Sequence, residues 1–151
     1  MRVISISDSE CEEMLKRESL GRIACSLDNQ PYVVPICFSY EAPQHIYIFS
    51  TLGKKIEWMR QNPKVCLEVD EVSNRSNWSS VIVEGTFVEL KEPQFSAQKQ
   101  QAIKKLGDYS LWWDTPLAQR RETVADLLVE PVFFRIDIAS MTGLRAIADP
   151  L

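Results

Sequence analysis

The sequence is short of histidine. It has one, His45, among 151 residues. A Ser-His-Asp or Cys-His mechanism would have to use it, yet it stands beside Gln44 at the start of a strand-like run. No serine sits in a nucleophile-elbow pattern. His-dependent hydrolysis is therefore not expected, and His45 reads as a surface residue near a turn. Cysteine is nearly as sparse. Cys11, Cys25, Cys37 and Cys66 stand far apart with no C-x-x-C pair. Three of them lie in apolar segments, where a reduced cysteine behaves as a small hydrophobe. No metal site is expected, while free thiols and a cytoplasmic location are.

Other absences narrow the classes further. No apolar run reaches the length of a membrane span. The start, "MRVISISDSECEEML", lacks a basic region followed by an apolar block, so no secretory signal is expected. The sequons at Asn74 and Asn77 then read as chance matches. The formal charge is −4, with both signs mixed along the chain, which argues against nucleic acid as the main partner. There is no P-loop, no dinucleotide fingerprint, no repeat and no low-complexity tract.

What is present is a globular pattern. Apolar residues make up 45% of the chain, which suits one domain spanning 1–151. "ISDSECEEMLKRE" predicts a helix, with Ser7 and Ser9 each followed three positions on by a glutamate. Its stripe is Cys11, Met14 and Leu15. "GRIACSL" and "YVVPICFSY" predict a hairpin across Asp28-Asn29-Gln30-Pro31. Pro35 cannot donate to a ladder and marks that strand as an edge or a distortion. "HIYIFS" predicts a third strand and "KKIEWMRQN" a helix that buries Ile56 and Met59. "KVCLEVDE" predicts a fourth strand. "NWSSVIVEGTFVEL" predicts a fifth, with Gly85 at a bulge or bend. A helical insertion is expected over about 93–128, its second helix started by Thr115 and Pro116. "VFFRIDIAS" predicts the last strand, followed by a short tail. Six strands with few helices between them imply a mainly β fold with peripheral helices, an antiparallel sheet closed into a small barrel.

Two groups of residues invite chemistry. Glu68 and Asp70 share one face of the fourth strand, but a solvated barrel exterior accounts for them. The richer stretch is "IYIFSTLGKKIEWMRQNP", residues 46–63. It leaves a strand through Ser50, Thr51 and Gly53 and enters a helix at Lys54 and Lys55. Helix N-terminal amides lack partners and favour anions. The hydroxyls add donors, and glycine permits close backbone approach. Lysines are unfavourable at a helix N-terminus unless something negative sits there. On these residues alone, an anion site and a plain solvated turn are equally supported.

The order of motifs resembles the pyridoxamine 5′-phosphate oxidase-like, FMN-binding split-barrel proteins, with the nitroimidazole-resistance (Nim-like) branch as the nearest likeness. It rests on "LGRIACSLDNQPYVVPICFSY", "IYIFSTLGKKIEWMRQNPKVCLEVDE" and "WSSVIVEGTFVEL", and returns at "FFRIDIASMTGLRA". No single motif is specific; their joint order at natural spacing is. The resemblance implies a six-stranded antiparallel split barrel that forms a homodimer with two FMN molecules at the interface. It places the FMN phosphate at Ser50, Thr51, Lys54 and Lys55. It lays the backbone of Val33, Val34, Pro35 and Ile36 along the isoalloxazine. It brings Trp78 and Ser79 over the ring from the partner subunit, with Gly143 and Arg145 approaching the same site.

The implied activity is FMN-dependent oxidoreduction of a small molecule, with NAD(P)H as a candidate electron donor and no catalytic side chain beyond the flavin. The alternatives are a non-catalytic flavin- or haem-binding stress or sensor protein of the same fold, and a split barrel that has lost its cofactor and survives as a dimeric interaction module. One departure bears on that choice. Nim-like sequences often carry histidine immediately before the serine of the turn, where this chain has Phe49. That speaks against nitroimidazole reduction and haem ligation and leaves phosphate binding untouched. No motif for the pyridoxal-phosphate substrate is present. Trp112-Trp113, inside the insertion, read as core or dimer packing.

Overall fold

The computed structural model describes residues 1–107 and 131–149. The chain opens with β1 (Arg2–Ile6), an edge strand that the sequence pattern did not disclose. It is followed by α1 (Asp8–Arg17), β2 (Leu20–Leu27), β3 (Gln30–Glu41), β4 (His45–Thr51), α2 (Lys54–Gln61), β5 (Lys64–Asn74), β6 (Asn77–Glu89), α3 (Ser96–Leu106) and β7 (Pro131–Ile147). The second helix expected in the insertion, and Trp112-Trp113, lie outside the described residues. Among the described residues, no helix is long and apolar enough to cross a membrane.

The strands run in the order β1-β7-β4-β3-β2-β5-β6, every pair antiparallel, and β6 returns to pair with β7. Six strands therefore close the split barrel, as expected, and β1 adds a seventh to the far end of β7. Alternation fills the interior. Ile23, Leu67, Val81, Val83, Phe134 and Ile136 all point inward and are buried. β6 shifts register between Glu84 and Gly85, the expected bulge. A Cβ on Gly85 would stand 2.4 Å from the Asp137 carbonyl oxygen, so the close approach of β7 requires glycine there.

α1 starts at a full capping box. The Ser7 hydroxyl accepts from the Glu10 amide at 3.3 Å, and the Glu10 carboxylate accepts from the Ser7 amide at 2.9 Å. Of the two serines the pattern offered, Ser7 is the cap. Cys11, Met14 and Leu15 are buried against the barrel as expected. α3 covers the outer face of β4 through Ala102 and Leu106, which meet Tyr47 and Leu90 in a separate apolar cluster. Burial in that cluster, with the Glu41 carboxylate near it, pushes the Tyr47 hydroxyl up to about 12.

One feature of the topology positions the site. The β3–β4 ladder runs from Glu41↔His45 to Phe38↔Ile48 and stops there. β3 continues back along β2 to Gln30, and β4 continues along β7 to Thr51. The two strands part, and the barrel is split between them. α2 then crosses the barrel end, with Ile56 and Met59 in the main core. At its exit the Asn62 side-chain amide donates to the Ser26 carbonyl at 3.0 Å, tying the helix to the end of β2.

Candidate functional site

The split gathers the residues that the sequence pattern singled out from two distant segments. One lip is β3 from Val33 to Ile36, which has β2 as its strand neighbour there. Pro35 pairs with Arg22 in that register, so its missing donor costs no ladder bond on the open side. Val33 turns outward and is 61% exposed, whereas Ile36 turns into the core. The other lip is the end of β4. Ser50 is buried, and its hydroxyl donates weakly to the Thr51 carbonyl at 3.3 Å.

α2 begins at the mouth of the split. Its N-cap is Gly53, in extended backbone, and no side chain caps the helix. The first intrahelical bond runs from the Glu57 amide to the Gly53 carbonyl at 3.1 Å. The preceding amides have no intrahelical acceptor and face outward. A Cβ added at Gly53 would meet nothing within 4 Å, so the space above the turn is open.

Two cations border that space. Lys54 is exposed. Its Nζ lies 4.8 Å from the centre of the Tyr32 ring and 4.6 Å from that of Trp58. Lys55 is half-buried, and desolvation holds its ammonium below the usual lysine range. The Cys25 thiol is its titratable neighbour; burial pushes that thiol up, and the two lysines oppose the push. Neither lysine has a carboxylate within ion-pair distance among the described residues. Most other described cations do: Arg17 meets Glu71, Arg22 meets Glu68 and Asp70, Arg60 meets Glu89, and Arg145 meets Glu10. Among the described residues, the mouth of the split is thus a positive region with no paired carboxylate.

Trp78 and Ser79 lie elsewhere. Ser79 pairs with Arg145 near the end of β7 and accepts from the Arg145 Nε at 3.3 Å. Thr51 pairs with Pro131 at the start of β7, fourteen positions earlier. At about 3.3 Å per residue, roughly 45 Å of strand lies between them. Fourteen positions of strand separate the two groups within one chain. Gly143 is also placed differently from its expectation. A Cβ there would stand 2.5 Å from Ile6 Cγ1 and 2.6 Å from Cys11 Sγ, so it faces α1 rather than the split.

The side chain of Phe49 points to the α3 side of β4. It packs in a tilted contact on Phe133, with ring centres 5.1 Å apart. Glu68 and Asp70 both accept from Arg22 on the barrel exterior, and His45 Nε2 lies 3.5 Å from Asp137. All four cysteines are free. Sequence reasoning missed Tyr32 and Trp58. Lys54 and Trp58 stand four residues apart on a helix, which was visible. Tyr32 joins them only through the fold.

A six-stranded barrel parted beside an uncapped, lysine-bearing helix start has close relatives. The family model described as pyridoxamine 5′-phosphate oxidase matches residues 7–145. The chain belongs to that family. An uncharacterised protein of Rhizobium meliloti is 34% identical over 156 residues, covering 100% of both chains. A FAD-binding protein of Mesorhizobium loti has a crystal structure that superposes with a TM-score of 0.79. It shares 38% identity and covers 98% of this chain and 99% of its own. A candidate 5-nitroimidazole antibiotic resistance protein of Bacteroides thetaiotaomicron shares the fold with a TM-score of 0.66. It is 20% identical, covering 95% of this chain and 87% of that one. This member of the pyridoxamine 5′-phosphate oxidase family therefore stands among flavin-binding relatives.

Proposed function

We propose that the chain is a flavoprotein that holds FMN, or the FMN half of a larger flavin, at the split, and works as an FMN-dependent oxidoreductase. The observation that carries this is the convergence at the split. The open lip of β3 meets two lysines with no paired carboxylate among the described residues, an uncapped helix start and open space. The donor set fits a phosphate. Lys55, made uncomfortable by desolvation, gains most from a dianion. Lys54, the Thr51 hydroxyl and the first amides of α2 share the remaining charge. Each charge-assisted bond contributes about 1.5–3 kcal/mol, so a few suffice for firm retention.

Ser50 shapes the turn from within the wall. Val33, Val34, Pro35 and Ile36 offer backbone and aliphatic surface to a planar ring. When bound, a flavin supplies hydride or single-electron transfer itself. The side chains are left to bind, orient and exclude water, and none is assigned a proton-transfer role. NAD(P)H is the proposed reductant.

The reading includes a homodimer. Trp78 and Ser79 lie too far along β7 to cover the ring of their own chain, so a second copy brings them. The outer sheet face suits such a contact. Val72, Trp78, Ala146 and Val3 form one row across β5, β6, β7 and β1, with Val72 and Val3 exposed. Burying a ring between subunits couples retention of the cofactor to association.

The test is a spectrum of the purified protein, followed by denaturation and identification of the released flavin. Light scattering with and without flavin gives the assembly state. Anaerobic mixing with NADH and NADPH gives the chemistry. A flavin band that bleaches supports the oxidoreductase. A bound flavin that neither nucleotide bleaches leaves a non-catalytic flavin binder. A colourless protein that takes up no flavin overturns the reading.

A further inference from the structure

FMN and FAD are identical up to the first phosphate. Whatever separates them must lie beyond the turn that holds it. Two features lie there. One is a cavity of about 300 Å³ bordered by Leu52, Arg60, Glu89, Lys91, Glu92 and Lys99. Its cations are already matched: Arg60 donates to both oxygens of Glu89 at 2.7 and 2.9 Å, and Lys99 lies 3.7 Å from Glu92. A second phosphate would find no free charge in it.

The other feature is the wedge between Tyr32 and Trp58. The rings are 5.8 Å apart and inclined at 55°, both partly exposed, and the Lys54 ammonium sits over both faces. A monophosphate needs Lys55 and the α2 amides. Lys54 adds to that set at a monophosphate, yet it is seated on two aromatic rings, a position that a monophosphate alone does not require. The Lys54 stem is flexible, and among the described residues its ammonium has no paired acid to leave behind. It can swing toward an anion without breaking an ion pair. Swinging out uncovers an indole and a phenol face one helical turn from the phosphate position.

We propose that the Tyr32–Trp58 wedge is a stacking site for the base of a dinucleotide flavin, with Lys54 turning from the rings to the second phosphate. This rests on the flavin reading and makes FAD the preferred ligand of the split. The ammonium acts as a placeholder: it covers the aromatic faces until a base replaces it. Base stacking on an aromatic side chain is typically strong enough to change affinity by about tenfold or more, whatever the base.

The test is titration of the full-length, flavin-free protein with FAD and with FMN by calorimetry. Wild type is expected to bind FAD about tenfold more tightly than FMN. Trp58→Leu keeps an apolar filler, and is expected to remove that preference while leaving FMN affinity within about twofold. Lys54→Gln leaves both rings in place, guards against a folding defect in the first variant, and is expected to weaken FAD more than FMN. Equal affinity of wild type for the two flavins overturns the inference, as does an equal loss of both in the two variants. Failure of wild type to bind either flavin overturns the flavin reading beneath it, and is a distinguishable result.

Discussion

The chain starts two helices on the same barrel in opposite ways. α1 is closed on itself: Ser7 and Glu10 cap each other, and Glu10 also takes the Arg145 guanidinium at 2.9 Å. Those bonds hold the Glu10 carboxyl below its usual range, first through the Ser7 amide. α2 is left open: Gly53 offers no side chain, and two lysines stand where the helix dipole is least welcoming to them. α3 also starts without a side-chain cap, at Phe95, and has no acid in its first turn, so an open end is not a signal by itself; the two lysines set α2 apart. The difference teaches where to look for function better than either end does alone.

The contrast can be broken or sharpened by substitution. Gly143→Ala should have the largest effect. Its methyl group would press on Ile6 and Cys11 beneath α1, and overpacking of this kind costs about 1–3 kcal/mol. A denaturation midpoint unchanged from wild type would mean that α1 is not seated as described. Lys55→Met comes next, with flavin affinity expected to fall at least about tenfold. Lys91→Ala, at a lysine outside the turn, should stay within about twofold of wild type. Equal retention in the two would remove the phosphate assignment.

Ser7→Ala should cost about 1 kcal/mol, the ordinary loss of a cap, with no change in flavin affinity. Gly53→Ser should move the stability of the flavin-free protein by only a few tenths of a kcal/mol, because glycine is itself a tolerable cap. A large change there would show that α2 is not left open.

The smallest expected effect is in pH. The folded chain holds Lys55 below the ordinary lysine value near 10.4, so over that window the unfolded chain binds more protons. The stability of the flavin-free protein should therefore rise with pH through that window, and Lys55→Met should flatten the rise. A wild-type profile already flat between neutrality and that value would count against burial of the ammonium.

Much of the fold was legible because alternation and capping are local. Ile23, Val65, Leu67, Val132 and Phe134 point inward as their spacing implied. Gly85 sits at the bulge, and Pro35 on a strand edge. β1 escaped notice because it is five residues long, and its first four are exposed. β7 runs to Ile147 rather than stopping near Ala139 and Ser140, because its inward position at 143 is a glycine. That glycine breaks the apolar rhythm for a reason only α1 explains. At the site, the hydroxyl and lysine turn could be read directly. The parting of β3 from β4 could not, since it depends on which strand β4 chooses as neighbour. The Tyr32–Lys54–Trp58 group was hidden for the same reason.

β7 has one further consequence. One end is paired with the turn that bears the lysines, and the other carries Arg145 beside Ser79. In the proposed dimer these ends belong to different cofactor sites. One continuous strand in each subunit, bulged at Ala139, then links the two sites, and the spacing of the two flavins is set by strand geometry rather than by any loop.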